Sequence, residues 1–381
     1  MSSDIYTYIH FTLLFISSFV LTYLLIPRII GVITYKQLMD NPNERSSHTH
    51  KTPSLGGIAF YITFVMGIFF AQVWDTDNSS MSILVGLIIL FIVGLKDDLV
   101  VLSAKTKILA QLLAISFVLY SESFHVHNFH GFLGIYEVST WITIPLSAFI
   151  MLSIINAYNL IDGIDGLAST IGIIIFTLLG GLFFYLGFNY FAAISILMIG
   201  TLTSFLRFNL SNKKRIFMGD TGSLIIGYLL SILVVKLFTL PAGVLNELPF
   251  QTENLPIVIL AILIVPFFDT VRVFTIRVLN KKGPFSPDRN HTHHLLIDYL
   301  KLSHRRASFF VGVFNFVFAV TICTLAMVLN YVELFVVFVL FALLMLYFFY
   351  KINNSKKNLR RKVRNKQKTQ KIILKNRVNL F

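Results

Sequence analysis

A chain of 381 residues that is 56% hydrophobic and only 13% charged, with a mean hydropathy of +0.76, is too apolar for a soluble domain and reads as a polytopic integral membrane protein. Its single cysteine, Cys323, lies inside an apolar run, which excludes a disulfide framework and a thiolate metal cluster. The net charge of +14 sits in the gaps between hydrophobic segments, and its distribution gives the chain two chemically different sides.

Eleven apolar runs able to cross a bilayer follow one another at 9–30, 55–71, 81–95, 108–120, 141–155, 167–186, 191–206, 224–240, 255–268, 309–329 and 334–350. Several are shorter than the roughly 20 residues of an upright span, so polar neighbours must complete their ends. The expected fold is all-α, with about 11 transmembrane helices. Of the 32 Lys and Arg residues, all but Lys236 fall in one alternate set of gaps. The opposite set holds Asp4, Asp75, Asp77, Glu122, Glu137, Glu247, Glu253 and Glu333. The positive-inside rule therefore puts the amino terminus outside and the carboxyl terminus in the cytoplasm, as an odd number of spans requires. No cleaved leader is expected, since the first basic residue is Arg28. The chain divides into one transmembrane catalytic domain over 1–350 and a basic cytoplasmic tail over 351–381. Such a tail lies against anionic membrane lipid, at about 1 kcal/mol per basic residue near the surface, in preference to nucleic acid.

Four cytoplasmic segments carry the chemistry. In the first, Asp97 and Asp98 end the third span, followed by Lys107 and Gln111. Adjacent carboxylates at a membrane boundary bind a cation or share a proton, unless they are simply a solvated loop pair. Neighbours in sequence point in different directions on a helix, so one can ligate a metal while the other acts as base or orienter. In the second, NAYNLIDGIDGLA, three-residue spacing makes Asn156, Asn159, Asp162 and Asp165 successive neighbours on a helix, while Gly163 and Gly166 invite it to end. No Lys or Arg lies within this strip, so its carboxylates are expected to be unpaired, in a catalytic or transport site or a polar network between helices.

The third segment, FMGDTGS at 217–223, opens the eighth span after Lys213, Lys214 and Arg215. It either caps that helix or offers backbone N–H groups to phosphate, with Asp220 holding an accompanying Mg2+. The fourth, DRNHTHH at 288–294, follows Asp269 in the longest cytoplasmic gap. Its imidazoles suit a transition metal or, together with Arg289, a diphosphate; without cysteine nearby, oxyanion contact is preferred. Carboxylates for a hard divalent cation beside donors for phosphate, all on one side, imply phosphoryl transfer to a lipid acceptor.

These residues resemble the polyprenyl-phosphate N-acetylhexosamine-1-phosphate transferases, a family that includes the undecaprenyl-phosphate GlcNAc-1-phosphate transferases and the phospho-MurNAc-pentapeptide transferase. The resemblance covers about 40–294. It includes Pro42, Arg45, His48, Thr52, Pro53, Gly56 and Gly57, then Asp97 and Asp98 with Lys107 and Gln111, NAYNLIDGIDGL, FMGDTGS, Asp269 with Thr270, and RNHTHH. It implies a Mg-dependent phosphoglycosyl transferase of the bacterial inner membrane, with its active site on the cytoplasmic face. The donor would be a UDP-N-acetylhexosamine and the acceptor undecaprenyl phosphate, with Mg2+ or Mn2+ as cofactor, UMP released, and a homodimer as one arrangement of the chain. The product, an undecaprenyl-diphosphate-linked sugar, would initiate a cell-envelope polysaccharide.

Carried over residue by residue, Asp97, Asp98 and Asp165 are the catalytic candidates and Asp220 and Asp98 the metal candidates. Lys107, Asn159, Asp162, Arg289, His291, His293 and His294 would bind substrate. The interrupted HTHH run is closer to the GlcNAc branch than to the pentapeptide branch, whose His run is usually continuous. Two departures stand out: Val101 replaces an acidic residue found in several relatives, and the stretch between Asn209 and Asp220 lacks their Pro and is one residue longer, which weakens a nucleotide role for Asn209. The competing classes are an intramembrane prenyltransferase, which needs a second Asp-rich helix that this chain lacks, and a lipid or anion transporter, which needs polar residues continuing to the outer side.

Overall fold

A computed structural model of the protein describes residues 2–40, 52–279, 281, 295, 297 and 302–352. Nearly all of the regular structure is helical. Helix α1 (Ser2–Tyr35) is followed by a two-residue antiparallel pair, β1 (Met39–Asp40) and β2 (Thr52–Pro53). Then come α2 (Gly57–Ala71), α3 (Ser79–Leu99), α4 (Ala104–Val118), α5 (Thr140–Ile161), α6 (Leu167–Tyr185), α7 (Asn189–Asn209) and α8 (Gly219–Phe238). A single turn, α9 (Ala242–Leu245), leads to α10 (Leu255–Ile262), α11 (Ile264–Leu279), α12 (His304–Ala326) and α13 (Tyr331–Ile352).

The expected apolar runs are helical, the ninth across two helices, and the count of straight spans is lower than eleven. Among the described residues nine helices are long and apolar enough to cross a membrane, which makes the chain a multi-pass membrane protein. The ninth expected span is broken: Thr252–Ile262 and Ile264–Leu279 meet at 72°. The fourth, α4, has 15 residues; at 1.5 Å per residue it is about 22 Å long, short of a hydrocarbon core of roughly 30 Å.

The break has a local cause. Pro266 sits in the first turn of α11, where its missing N–H and fixed φ favour a helix start over continuation. The interrupted backbone is served by Asn315 of α12, which is fully buried; its Oδ1 accepts from the Val265 N–H at 3.4 Å and its Nδ2 donates to the Ile262 carbonyl at 3.3 Å. Replacing it by leucine strands both groups in an apolar interior, at a cost of about 1–3 kcal/mol. Asn315→Leu is therefore expected to lower the thermal unfolding midpoint of the purified protein, and an unchanged midpoint would remove this explanation of the break.

Helix α8 is the centre of the bundle. Every residue from Thr221 to Phe238 is buried, with α5, α3 and α2 packed most closely around it, α6 and α7 also in contact, and α1 packed on α7. Close approach is achieved through glycine: a Cβ on Gly94 of α3 would lie 2.6 Å from the Thr221 Cα, and one on Gly57 of α2 would lie 2.2 Å from the Gly222 N. These two contacts fix the α8 amino terminus against α2 and α3, where the acidic residues cluster. On the outward sides of the helices Phe69, Phe149, Phe309 and Leu344 stay exposed, as lipid-facing side chains do.

At the opposite end of the bundle, Asp75 accepts from the Ser79 and Ser80 N–H groups at the start of α3. Lys236, the one basic residue outside the basic set, is buried there, 2.7 Å from Asp77 and over the rings of Phe124 and Phe191. Its charge is spent inside the protein, so it does not weaken the asymmetry read from the sequence.

Candidate active site

The site is built where the carboxyl ends of α3 and α5 meet the amino ends of α4 and α8. Asp98 is turned into the amino terminus of α8: its Oδ1 accepts from the Asp220 N–H at 2.7 Å, and its Oδ2 accepts from the Thr221 N–H at 3.1 Å and the Thr221 hydroxyl at 2.5 Å. An ionised carboxylate on the first free amides of a helix is favoured by hydrogen bonding and by the helix dipole together. FMGDTGS does open α8, but the acceptor for its first amides is Asp98 of α3 and not a side chain of the motif, so the Asp220 and Thr221 N–H groups are already engaged. Gly219 makes this possible with a φ of +73° and no side chain, since a Cβ there would meet the Ser54 carbonyl at 2.1 Å and the Asp98 carboxylate at 2.6 Å.

The segment before α8 is held just as closely. The Phe217 N–H donates to the Pro53 carbonyl at 2.7 Å, and the Gly56 and Gly57 N–H groups donate to the Phe217 and Met218 carbonyls at 3.0 and 3.1 Å. The Pro53, Gly56 and Gly57 stretch, distant in sequence, is thereby the scaffold of the Asp220 loop.

Asp97 points away from Asp98, as neighbours on a helix must. Its Oδ1 accepts from the Leu102 N–H at 2.6 Å, and its Oδ2 lies 2.6 Å from the Lys107 Nζ. The same ammonium contacts the Asp220 carboxylate, so Lys107 of α4 bridges α3 to α8. The other Asp220 oxygen accepts from Asn159 Nδ2 at 2.9 Å, and this amide also donates to the Ser223 hydroxyl at 2.8 Å. One turn earlier, Asn156 Nδ2 donates to the buried Gln111 Oε1 at 2.8 Å, which ties α5 to α4.

The second motif does not continue as one helical strip. Helix α5 ends at Ile161, so Asn156 and Asn159 lie on it while Asp162 caps its end and Asp165 sits in the following turn. Gly166, at φ +80°, completes that turn. The half-buried Asp162 carboxyl has no hydrogen-bond partner among the described residues. Loss of water, then the charges of Asp220, Asp98 and Asp165, push its pKa up to about 8.

The expectation that these carboxylates are unpaired fails at Asp165. Its Oδ2 lies 3.4 Å from Arg215 Nη1 and 3.3 Å from His304 Nδ1, and its backbone carbonyl accepts from the Ser308 hydroxyl at 2.7 Å. The partners come from the α7–α8 loop and from α12, beyond the reach of any local spacing. His304 is thus a site neighbour that sequence reasoning missed, and Arg215 and Ser223, singled out only as part of the third segment, gain specific partners in Asp165 and Asn159. Asn209 joins the two loops, since its Oδ1 accepts from the Gly166 N–H at 2.5 Å and its Nδ2 donates to the Ile216 carbonyl at 2.8 Å. Arg289, His291, His293 and His294, like Arg45 and His48, lie outside the described residues.

The donor set suits a hard divalent cation. Asp97 and Asp220 share the Lys107 ammonium, and the carboxyls of Asp98 and Asp162 lie close enough to Asp220 to feel its charge. Among the described residues no three carboxylate or imidazole groups form a ready cage. Mg2+ characteristically binds through one or two carboxylates, keeps several waters and takes further oxygens from substrate phosphates. Asp220, next to Asp97 and the unpartnered Asp162, meets that requirement, whereas both oxygens of Asp98 are already directed at α8.

Residues 80–238, which carry three of these motifs, match the family model described as glycosyl transferase family 4. The chain is 33% identical over 322 residues to a probable undecaprenyl-phosphate N-acetylglucosaminyl 1-phosphate transferase of Bacillus subtilis, covering 84% of this chain and 86% of the relative. It is 32% identical to a decaprenyl-phosphate N-acetylglucosaminephosphotransferase of Mycolicibacterium smegmatis, over 70% of each chain. A phospho-N-acetylmuramoyl-pentapeptide-transferase of Staphylococcus aureus is 30% identical over 63% of this chain and 80% of its own length.

Proposed function

Because the chain belongs to glycosyl transferase family 4, among the polyprenyl-phosphate N-acetylhexosamine-1-phosphate transferases, we propose that it moves GlcNAc-1-phosphate from UDP-GlcNAc to undecaprenyl phosphate. The observation that carries this reading is the acidic cleft at the start of α8, where Asp97 and Asp220 share the Lys107 ammonium. In this reading a phosphate oxygen of the lipid attacks the sugar-bearing phosphorus of the donor. The bond from that phosphorus to the bridging oxygen breaks, UMP leaves with that oxygen, and the sugar remains on a lipid diphosphate.

No strong base is required. The second ionisation of a phosphate monoester lies near pH 6, so the acceptor is largely dianionic at neutral pH. Asp97 then serves to orient Lys107, which exchanges a carboxylate contact for a phosphate oxygen when substrate enters. Asp220 and Asp97, with Asp162 beside them, would hold Mg2+ or Mn2+, which when bound offsets the charge of the diphosphate. Asn159 and Ser223 fix the Asp220 rotamer, and Asp98 fixes the backbone that carries it. Asp165 acts through the fold of its loop, by its bonds to Arg215 and His304. Arg289, His291, His293 and His294 complete the reading as the donor grip.

We infer from the basic set of gaps that this site faces the cytoplasm, where UDP-sugars are found. Single-cysteine variants in a Cys323→Ala background test that sidedness, since Val101 and Tyr136 are both exposed in connections at opposite ends of the bundle. In intact cells an impermeant maleimide is expected to label Tyr136→Cys and to reach Val101→Cys only after permeabilisation. The reverse pattern would put the cleft outside. The donor is tested by competition: unlabelled UDP-GlcNAc should suppress transfer of radiolabelled GlcNAc-1-phosphate better than UDP-GalNAc or UDP-MurNAc-pentapeptide. Preference for either of the other two would replace GlcNAc as the sugar.

A further inference from the structure

A second cavity, of about 780 Å³, opens between the ends of α1 and α7 and the loop that leads to α8. Its wall is divided by chemistry. Tyr23 and Leu206 face it from the helices, while Arg207, Lys213, Lys214 and Arg305 supply four cations and no carboxylate among the described residues lines it. Arg207, Lys213 and Lys214 are exposed and pair with no acidic group among the described residues. Four neighbouring unneutralised cations repel one another, so the arrangement gains from an anion.

The cationic wall is held in shape. The Lys213 and Lys214 N–H groups donate to the Ser211 hydroxyl at 3.2 and 3.1 Å, and Arg305 of α12 donates to the Leu210 carbonyl and, at 3.0 Å, to Asn212 Oδ1. The cavity is also separate from the acidic cleft. It lies on the α1–α7 side of the Leu210–Met218 loop, whereas Arg215 of the same loop turns to Asp165.

We propose that this cavity binds the headgroup of an anionic phospholipid, with its phosphate among Arg207, Lys213, Lys214 and Arg305 and its acyl chains against Tyr23 and Leu206. The division into a cationic rim and an apolar floor at the end of membrane-spanning helices selects a lipid over a soluble anion, and basic pockets between spans at this depth suit such headgroups. Occupancy would brace the loop that delivers Asp220, from the face opposite Asp165.

The test is a titration of the purified full-length protein in detergent with phosphatidylglycerol, followed by native mass spectrometry. Removing two of the four cations in Lys213→Ala/Lys214→Ala should weaken phosphatidylglycerol about thirtyfold. Arg207→Ala should weaken it several-fold, and UMP release from UDP-GlcNAc and undecaprenyl phosphate in detergent without added phospholipid should be unchanged in both variants. Phosphatidylcholine should bind weakly to all three proteins, and glycerol phosphate should fail to displace phosphatidylglycerol. Equal retention of phosphatidylglycerol by the wild type and both variants would overturn the proposal. So would retention of phosphatidylcholine as strong as that of phosphatidylglycerol, and displacement by glycerol phosphate would assign the cavity to a soluble phosphate instead.

Discussion

Asp220→Asn is expected to reduce UMP release by about a thousandfold while leaving the protein folded. The substitution removes the charge that Lys107 and an incoming cation share, and a single preorganised electrostatic contact in a water-poor site is worth roughly 10²- to 10³-fold in turnover. It spares the architecture, because the cap at the start of α8 uses the backbone N–H of residue 220 and not its side chain. The amide oxygen can still accept from Asn159. Turnover and thermal unfolding midpoint, measured on the same preparation, separate the two effects. A variant with near-normal turnover would take Asp220 out of the reaction centre.

Asp98→Ala should fail in the other way, by loss of stability and activity together. Two backbone N–H groups and one hydroxyl lose their acceptor at the mouth of a helix whose residues from Thr221 to Phe238 are all buried. Water has poor access there, and leaving a buried donor without its acceptor costs about 1–3 kcal/mol. Asp98→Asn is expected to be milder, since its amide oxygen can keep one of the bonds while its NH2 faces a donor. The two substitutions are compared by unfolding midpoint and by UMP release. An Asp98→Ala protein with wild-type midpoint and turnover would show that α8 does not depend on this cap.

Much of this was readable from residue order, and the parts that were not have identifiable reasons. The apolar runs became helices because length and hydropathy dominate in a bilayer. Divergence of Asp97 and Asp98 followed from helix geometry alone. The break before α11 was hidden because 255–268 is continuously apolar, and only Pro266 marks it. Three-residue spacing over Asn156, Asn159, Asp162 and Asp165 suggested one helix face, but Gly163 and Gly166 ended α5 first, so the last two carboxylates hang from a turn. The pairing of Asp165 with Arg215 and His304, and the capping of α8 by a residue 122 positions earlier, are tertiary contacts that no local pattern encodes. Sharing a loop or a span end identified which residues meet; it did not identify which of them hold the fold and which face substrate.

The geometry separates those two roles for the acidic residues. Both oxygens of Asp98 and the Oδ2 of Asp165 are engaged by the protein, and Asp97 and Asp220 are joined by the Lys107 ammonium, while the Asp162 carboxyl has no hydrogen-bond partner among the described residues.

The most direct test is to supply the purified protein with UDP-GlcNAc, undecaprenyl phosphate and Mg2+ and to identify the released nucleotide. The expected product is UMP, formed in equal amount with a lipid-linked GlcNAc diphosphate and absent when the lipid phosphate is omitted. Release of UDP would mean that the sugar alone is transferred, and no lipid-dependent nucleotide release would mean that the acidic cleft serves another reaction.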